Sequence, residues 1–413
     1  MQKHITFIIN YFYPDLASTG QLMTDLCTEL QNDFEITVIA AQPNYAGENV
    51  SSKPLFEKDK LENMDVIRIR LPEVNKNSKL SRLKYILAYF FLALIALLKV
   101  KKLNAIYTIS QPPVLGGLIG TLGKFFKRSK HIYNIQDFNP EQAAAISYSS
   151  GFLVKLAKSI DKMNCKLSDQ VIVVGNDMAE TLKGRFKNCN VPDHTVINNW
   201  TDDKNIIPLD KEEQQIKEFV ETYNLRNKTV IMYSGNIGLF YDLENIIKIT
   251  TDYKDNENLV FLFIGEGAMK SHIKEFVAKN NIRNVLFLPY QPKDFIKYSL
   301  NVADIHLVVN QKGIKGVSVP SKIYGVMAAG KPILGVLEDG SEASNLINES
   351  NCGVVVEPQN YDGIKKEIDR FLDLSEVERI ALGENGRKYL EQHLRKEVSI
   401  NKYRDTLKSV LET

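Results

Sequence analysis

The chain has 413 residues, 44% of them hydrophobic, and a net charge of +2. This length predicts two or three domains with ample core, and the near-neutral total gives no sign of a polyanionic partner. Charge is nevertheless uneven, because residues 74–136 carry eleven Lys or Arg and no Asp or Glu. That segment lacks the motifs of nucleic-acid-binding modules, so no nucleic-acid partner is expected.

Apolar runs alternate with amphipathic stretches along the first half, which is typical of βα units and parallel sheets. Residues 5–9 are too short for the apolar region of a secretion signal and predict a first strand. Residues 51–61, polar with one proline, predict a loop. Strands are predicted at 4–10, 35–40, 66–70, 105–109, 130–135, 170–174 and 194–197.

A polar stretch ending in a proline, residues 201–208, predicts a linker between a first domain at 1–200 and a second at 209–393. A charged helix is expected at 211–223, and only helices after residue 362. The second series of strands is predicted at 229–234, 259–264, 285–288, 304–309, 333–336 and 353–356. The sequence thus predicts an α/β protein of two facing Rossmann-like parallel-sheet domains, with ligands bound in a cleft between them.

Residues 85–98 are fourteen apolar or aromatic residues in a row with cations on both flanks. As a helix they rise about 21 Å, short of a ~30 Å hydrocarbon core, so a spanning helix is not expected. Two interpretations are open: a helix buried in the core, or a helix lying on an anionic membrane surface. The missing carboxylates favour the membrane, because an anionic leaflet attracts Lys and Arg and repels Asp and Glu.

Two groups at predicted strand ends of the first domain are candidate site residues. Asp137 and Glu141 lie four residues apart after the fifth strand and are candidates to orient or deprotonate an acceptor hydroxyl. Capping of the following helix is the alternative. Ser18, Thr19 and Gly20 open a helix after the first strand, where they either line a binding site or serve as an ordinary cap.

The loop at 316–321 and the helix that follows hold the most informative residue of the second domain, Lys322. A helix start disfavours a cation, and a bound polyanion would remove that conflict. The alternative is that Lys322 only solvates the helix. Lys312 and Lys315 are further cations near this loop, and backbone at Gly235 and Gly238 can also contact phosphate.

Residues 327–332, Met-Ala-Ala-Gly-Lys-Pro, resemble the nucleotide-sugar loop of glycosyltransferase family 4. The pattern Pro-Ser-Lys-x-Tyr-Gly-x-Met at 320–327 is similar to a subgroup that includes the fucosaminyltransferases of O-antigen assembly. Three departures stand out. Val317 and Gly325 occupy the two positions where the family has glutamates, and Asn236 stands where it usually has an arginine.

The resemblance implies the GT-B fold, with helix 394–413 returning to the first domain. It implies a donor site that includes the following residues: Ser318, Ser321, Lys322, Tyr324, Gly235, Asn236, Gly238, Glu266, Gly267 and Tyr290. Tyr290 would lie under the base, and Asp137 and Glu141 would line the acceptor side.

The implied reaction moves a sugar, an N-acetylated hexosamine or deoxy relative, from a UDP-sugar to a polyprenyl-diphosphate-linked acceptor in O-antigen or capsule assembly. It would retain anomeric configuration and use no cofactor and no metal. We expect a cytoplasmic protein attached peripherally to the inner face of the plasma membrane. Two rivals stay open, a non-catalytic nucleotide-sugar-binding protein and a sugar-nucleotide epimerase of the same fold.

Overall fold

A computed structural model describes residues 2–15, 18–43, 54–74, 78–145, 151–187 and 189–412. The chain divides into two compact units, Met1–Asn198 with Ser399–Thr413, and Asn199–Val398. Each unit is a helix-covered, mainly parallel sheet, which confirms the predicted fold class of two α/β domains. The boundary at residues 198 and 199 lies just before the predicted linker, so residues 201–208 belong to the second unit.

The first unit is built on an eight-stranded sheet in the order β3-β4-β2-β1-β5-β6-β7-β8. The chain runs outward from β1 in one direction through β2 and in the other through β5, so β1 and β5 flank the point where strand order reverses. Its strands are β1 (His4–Ile8), β2 (Glu35–Ala41), β3 (Phe56–Leu61), β4 (Met64–Ile69), β5 (Ala105–Ile109), β6 (Lys130–Ile135), β7 (Gln170–Val173) and β8 (His194–Val196).

Seven helices accompany this sheet in the described residues: α1 (Ser18–Leu30), α2 (Lys79–Lys99), α3 (Leu115–Lys127), α4 (Asn139–Ala145), α5 (Gly151–Leu167), α6 (Asn176–Arg185) and, from the far end of the chain, α15 (Lys396–Glu412). Helix α15 packs onto the first unit through the fully buried Tyr403. The Asn134 amide donates to the hydroxyls of Tyr403 (2.6 Å) and Tyr107 (2.7 Å).

Strand β3 corrects the prediction of a loop at 51–61, of which residues 51–53 lie outside the described residues. It pairs antiparallel with β4 at the edge of the sheet, from Phe56 opposite Ile69 to Leu61 opposite Met64. An edge strand has one unpaired side, where charged residues are tolerated and discourage pairing with other chains. The run Glu57-Lys58-Asp59-Lys60 therefore forms a strand without the apolar alternation that predicts one.

Helix α2 is longer than the apolar run that predicted it. It spans 21 residues, about 31 Å, because Lys79–Lys84 extend it by a turn and a half. Within the described residues α2 is the one helix long and apolar enough to cross a membrane, by length and composition alone. The length argument against a span is therefore wrong. One face of α2 is nevertheless packed in the domain core, since Tyr89, Ala93 and Leu97 are fully buried.

The second unit has a six-stranded parallel sheet in the order β11-β10-β9-β12-β13-β14, and β9 and β12 flank its reversal of strand order. Its strands are β9 (Thr229–Ser234), β10 (Leu259–Ile264), β11 (Val285–Leu288), β12 (Ile305–Val309), β13 (Ile333–Val336) and β14 (Gly353–Val356). Its helices are α7 (Gln214–Thr222), α8 (Leu243–Ile249), α9 (Lys270–Lys279), α10 (Ile296–Val302), α11 (Lys322–Ala328), α12 (Glu342–Ser350), α13 (Tyr361–Asp373) and α14 (Glu376–His393).

Candidate functional site

Lys322 lies at the reversal of strand order in the second sheet, where ligands of open α/β sheets bind. It is the first residue of α11 after β12, and its side chain extends across to the end of β9. There its Nζ donates to the hydroxyl of Tyr233 (2.8 Å), which donates in turn to the carbonyl of Asn236 (2.6 Å). A Cβ built on Gly235 would lie 3.6 Å from Nζ. The predicted residues Lys322, Gly235 and Asn236 are thus close together.

Two aromatic rings enclose the Lys322 ammonium. Nζ lies 4.1 Å from the ring centroid of Tyr233 and 4.2 Å from that of Tyr241, within the range of cation–π attraction. No carboxylate forms an ion pair with Lys322 within the described residues. Burial without a counter-charge lowers the pKa of this lysine to about 7. The Lys322 ammonium therefore has no counter-charge among the described residues, and a bound anion would supply one.

The loop after β10 packs directly onto the loop after β9. The Ile237 N–H donates to the Glu266 carbonyl (2.9 Å). A Cβ on Gly267 would lie 2.2 Å from the Ile237 carbonyl oxygen, so only glycine permits this approach. Gly238 lies beside the Asn236 side chain. The predicted residues of both loops therefore line one edge of the sheet.

Glu266 and Tyr290 lie at the outer side of these loops. The Glu266 carboxylate pairs with Lys270 (2.6 Å), whose Nζ also donates to the carbonyls of Gly265 and Leu288. Tyr290 is 54% exposed, and its hydroxyl donates to the Glu266 carbonyl (3.4 Å). An exposed ring held at a strand end is suited to stacking on a planar ligand.

The loop before α11 is held by Glu338. Its Oε2 accepts the N–H groups of Gly313 (2.8 Å), Ile314 (3.0 Å) and Lys315 (2.9 Å). This backbone nest is thus already occupied by a carboxylate of the protein. Lys315 donates to the Asp339 carbonyl, and Lys312 is exposed. Neither lysine is brought to the Tyr233 cage, so Lys322 supplies the charge there.

The other predicted residues of this loop differ in position. Ser318 and Ser321 are partly exposed before α11. Tyr324 is fully buried in the apolar cluster with Met327 and Leu346. Its side chain therefore packs in the core, which favours a structural role over the predicted donor contact.

In the first unit, Ser18, Thr19 and Gly20 form the first turn of α1. A Cβ on Gly20 would lie 2.8 Å from the Tyr11 carbonyl oxygen, so this glycine lets the helix start approach the loop after β1. Thr24 accepts the Tyr13 N–H (3.1 Å) and fixes the same contact. The structure thus gives Gly20 a packing role next to the strand end.

Asp137 and Glu141 have different surroundings. Both Glu141 oxygens accept from Arg185 (3.1 and 2.6 Å), which also pairs with the buried Asp161 (2.7 Å). These contacts favour a structural role for Glu141. Asp137 is partly exposed at the end of β6, and its N–H donates to Ser110 Oγ (3.2 Å). Asp137 stays the better candidate for contact with a substrate.

A cavity of about 590 Å³, which the sequence did not predict, opens at the carboxyl edge of the first sheet. Asn10, Tyr11 and Asp15 line it from the end of β1, and Gln111 with Pro112 from the end of β5. It therefore lies at the reversal of strand order, the position equivalent to that of Lys322 in the second sheet. Arg82, Tyr85 and Ile86 of α2 form another wall. The sequence pointed to this cavity only in that residues 10–15 and 110–113 both follow predicted strands.

Helix α2 also presents an exposed apolar stripe, formed by Leu80, Leu83, Leu87, Phe91, Ile95 and Leu98. These residues recur every three or four positions and so share one face. Beside the end of this stripe, Lys127 of α3 donates to the Leu98 (3.3 Å) and Val100 (2.6 Å) carbonyls. The neighbouring Phe125 and Phe126 are 60% and 61% exposed. We call the stripe with these two phenylalanines the apolar surface.

No group of three or more His, Cys, Asp or Glu suited to a metal ion occurs among the residues described here. Metal-independent chemistry stays a prediction. The four cysteines are free, and three of them are buried.

Residues 214–389 match the family model described as glycosyl transferases group 1. The chain is 26% identical to the probable glycosyltransferase WbjE of Pseudomonas aeruginosa, covering 98% of both chains. It is 25% identical to the putative colanic acid biosynthesis glycosyl transferase WcaI of Escherichia coli K12, covering 96% of this chain and 97% of the relative.

Solved structures share the fold at low identity. A sucrose-phosphate synthase of Thermosynechococcus elongatus has a TM-score of 0.78 at 14% identity, covering both chains completely. Anabaena Alr3699/HepE, solved in complex with UDP and glucose, has a TM-score of 0.72 at 12% identity, covering 99% of this chain and 100% of that one. The chain thus has the GT-B fold, and residues 214–389 of its second unit match the model of group 1 glycosyl transferases.

Proposed function

We propose that this protein transfers a sugar from a UDP-sugar to a polyprenyl-diphosphate-linked saccharide during assembly of a surface polysaccharide such as O-antigen or capsule. The observation that carries the donor half is the uncompensated Lys322 in its tyrosine cage, inside the matched family region. The names of two relatives support glycosyl transfer, and one of them is assigned to a polysaccharide. The sugar we propose is an N-acetylated hexosamine or a deoxy relative, as in fucosaminyl transfer.

The donor diphosphate would lie between Lys322 and the backbone of Gly235 to Gly238. In the transfer, the bond between the anomeric carbon and the diphosphate oxygen breaks, and its electron pair leaves with UDP. Lys322 stabilises that developing charge by a charge-assisted hydrogen bond, without a metal ion. Tyr290 would stack on the uracil, and Asn236 replaces a second cation with a neutral hydrogen-bonding side chain.

The new bond forms from an acceptor hydroxyl to the same anomeric carbon. Asp137 orients this hydroxyl and takes its proton, directly or through water. We place the protein at the inner face of the plasma membrane, because the apolar surface lies in a segment of eleven cations and no carboxylates. Apolar contact and attraction to anionic lipid together would hold it there peripherally.

Binding of UDP tests the donor site. Calorimetry should give at least tenfold weaker binding for Lys322→Met than for the wild type at pH 7, because one charge-assisted contact contributes about 1.5–3 kcal/mol. Equal affinities in a folded variant would refute the assignment.

Incubation with UDP-sugars tests the reaction class. Transfer to a lipid fraction supports the proposal. Binding without any turnover would favour a non-catalytic binding protein, for which the missing glutamate pair is the motivating observation. Release of an altered free sugar without an acceptor would favour an epimerase.

A further inference from the structure

We propose that exposed apolar residues of α5 make a second contact with the anionic membrane surface, beside that of α2, so that the first unit lies on lipid through one whole face of its sheet. The inference rests on the proposed function and adds the residues and the orientation of the membrane contact. We call Phe152, Leu153, Leu156 and Met163 the α5 patch.

The α5 patch is a group of large apolar side chains that the fold leaves uncovered. Phe152 is 75% exposed, the most exposed aromatic side chain among the described residues, and Leu153 is 56% exposed. Phe152, Leu156 and Met163 recur at helical spacing and so share one face of α5. Large apolar side chains grouped in this way mark a surface that contacts another molecule or a membrane.

Cations accompany the α5 patch. The helix carries four lysines, Lys155, Lys158, Lys162 and Lys166. Its one acidic residue, Asp161, is buried and paired with Arg185 (2.7 Å), so α5 presents no carboxylate at its surface. An apolar face that is flanked by lysines and lacks exposed carboxylates complements anionic lipid, which attracts the lysines and accepts the apolar side chains.

Helix α3 lies between α2 and α5 on one face of the first sheet. The connections that contain α2, α3 and α5 lead into β5, β6 and β7 and all move in the same direction along the sheet, so right-handed crossovers place them on the same face. Lys127 of α3 donates to the Val100 carbonyl at the end of α2 (2.6 Å). Lys124 of α3 donates to the Leu167 carbonyl at the end of α5 (2.9 Å).

The outer side of α3 makes the apolar surface continuous with the α5 patch. Leu115, Leu118 and Leu122 are partly exposed at helical spacing and lead to the exposed Phe125. Neighbouring helix axes lie about 8–10 Å apart, so α2 and α5 are separated by roughly 16–20 Å. A single helix on a membrane leaves the domain free to roll about the helix axis, whereas two contacts at this separation prevent it.

Contact through all three helices sets the orientation of the first sheet. The sheet would lie roughly parallel to the membrane, with α1 on the face turned away from lipid, because the connection through α1 moves in the opposite direction along the sheet. The carboxyl edge of the sheet, where Asp137 follows β6, would then open along the lipid surface.

Tryptophan substitution combined with brominated lipid tests this contact. Trp200 is the one tryptophan of the chain, and because it is buried it gives a constant background. Phe152→Trp reports on α5 and Phe91→Trp on α2. Val377→Trp, on α14 of the second unit, is the matched control, because Val377 is also 75% exposed. The probe is a vesicle of dibrominated phosphatidylcholine and anionic phosphatidylglycerol, whose bromine atoms quench a tryptophan that enters the acyl region.

We expect brominated vesicles to quench the added fluorescence of Phe152→Trp and Phe91→Trp by about half or more relative to unbrominated vesicles, and that of Val377→Trp not at all. Quenching of Phe91→Trp alone would overturn the inference and leave the proposed function with its α2 contact intact. Quenching of neither would refute the membrane placement together with this inference, while UDP binding tests the donor site separately.

Removal of the apolar side chains gives a second measurement. Phe152→Ser combined with Leu153→Ser should weaken binding to anionic vesicles, measured by flotation, about tenfold, because two apolar side chains leave the lipid contact. Val377→Ser combined with Ile380→Ser removes a similarly exposed pair from α14 and should leave this binding unchanged. Unchanged vesicle binding in the α5 variant would overturn the inference, and a change from dimer to monomer in that variant would instead assign the α5 patch to a second copy of the chain.

Discussion

Protonation of Lys322 should couple donor binding to pH. Burial lowers the pKa of this lysine to about 7 in the free protein, and a diphosphate at the cage would raise it again. At pH 8 about 90% of the free protein then has a neutral Lys322, and binding takes up about 0.9 proton. Because the bound form needs the proton, affinity falls as pH rises through 7.

The size of the effect follows from one linked proton. If the bound pKa lies well above 9, UDP affinity should fall about 50-fold between pH 7 and pH 9, or ~2.3 kcal/mol. Below about pH 6 the terminal phosphate of UDP protonates, so affinity should decline on that side too. Calorimetry in buffers of different ionisation enthalpy measures the proton uptake directly.

A matched control is available in Lys331, whose pKa burial lowers to about 8. Lys331 precedes β13 and therefore lies at the amino ends of the strands, whereas Lys322 follows the carboxyl ends. The nearby Asp304 precedes β12 at the same amino ends. Lys331→Met should keep the full pH dependence, and Lys322→Met should bind weakly and without proton uptake. Wild-type affinity that is constant from pH 7 to 9, with no proton uptake, would refute the reasoning.

Three further results are expected. Asp137→Asn should lower turnover by a factor of order 10²–10⁴ with donor affinity and urea unfolding unchanged; retained turnover would remove Asp137 from the chemistry. Glu141→Gln should keep most activity but lower the free energy of unfolding by about 1–3 kcal/mol, because Arg185 loses a charged partner; the reverse pattern would restore its predicted role. Binding to anionic vesicles, measured by flotation, should weaken as salt rises. The free energy of this binding should become less favourable by up to ~3 kcal/mol when three lysines of the first domain are replaced by Gln. The same replacement of three exposed lysines of the second domain should leave it unchanged. The first set is Lys99, Lys101 and Lys102, and the control set is Lys254, Lys279 and Lys293.

Most strands of both sheets were predictable because they are buried and appear as continuous apolar runs. All six strands of the second unit lie within one residue of the predicted positions, such as β10 at Leu259–Ile264. Strand β3 was not predictable from apolar pattern, because an edge strand can be charged. The extent of α2 was underestimated for a related reason: its first turns are polar, and only the backbone shows that they continue the helix.

The candidate site was predictable where it depends on local sequence. The loop before Lys322 and the glycines after β9 and β10 carry such signals. The tyrosine cage depends instead on Tyr233, 89 residues from Lys322 in sequence, and on Tyr241. The cavity in the first unit likewise brings together the ends of β1 and β5 with α2. Contacts of this kind are set by strand order, which single-sequence patterns do not specify.

The return of α15 to the first unit has a consequence for the order of synthesis. Asn134 and Tyr403 are 269 residues apart, and the whole second unit lies between them in the chain. A ribosome therefore makes most of the first unit early but supplies its last helix, α15, only after residue 395. Until then the buried Asn134 amide lacks one of its acceptors, and the side chains of β5 and β6 that Tyr403 contacts stay uncovered and accessible to other nascent chains. The unit made first is thus the one completed last.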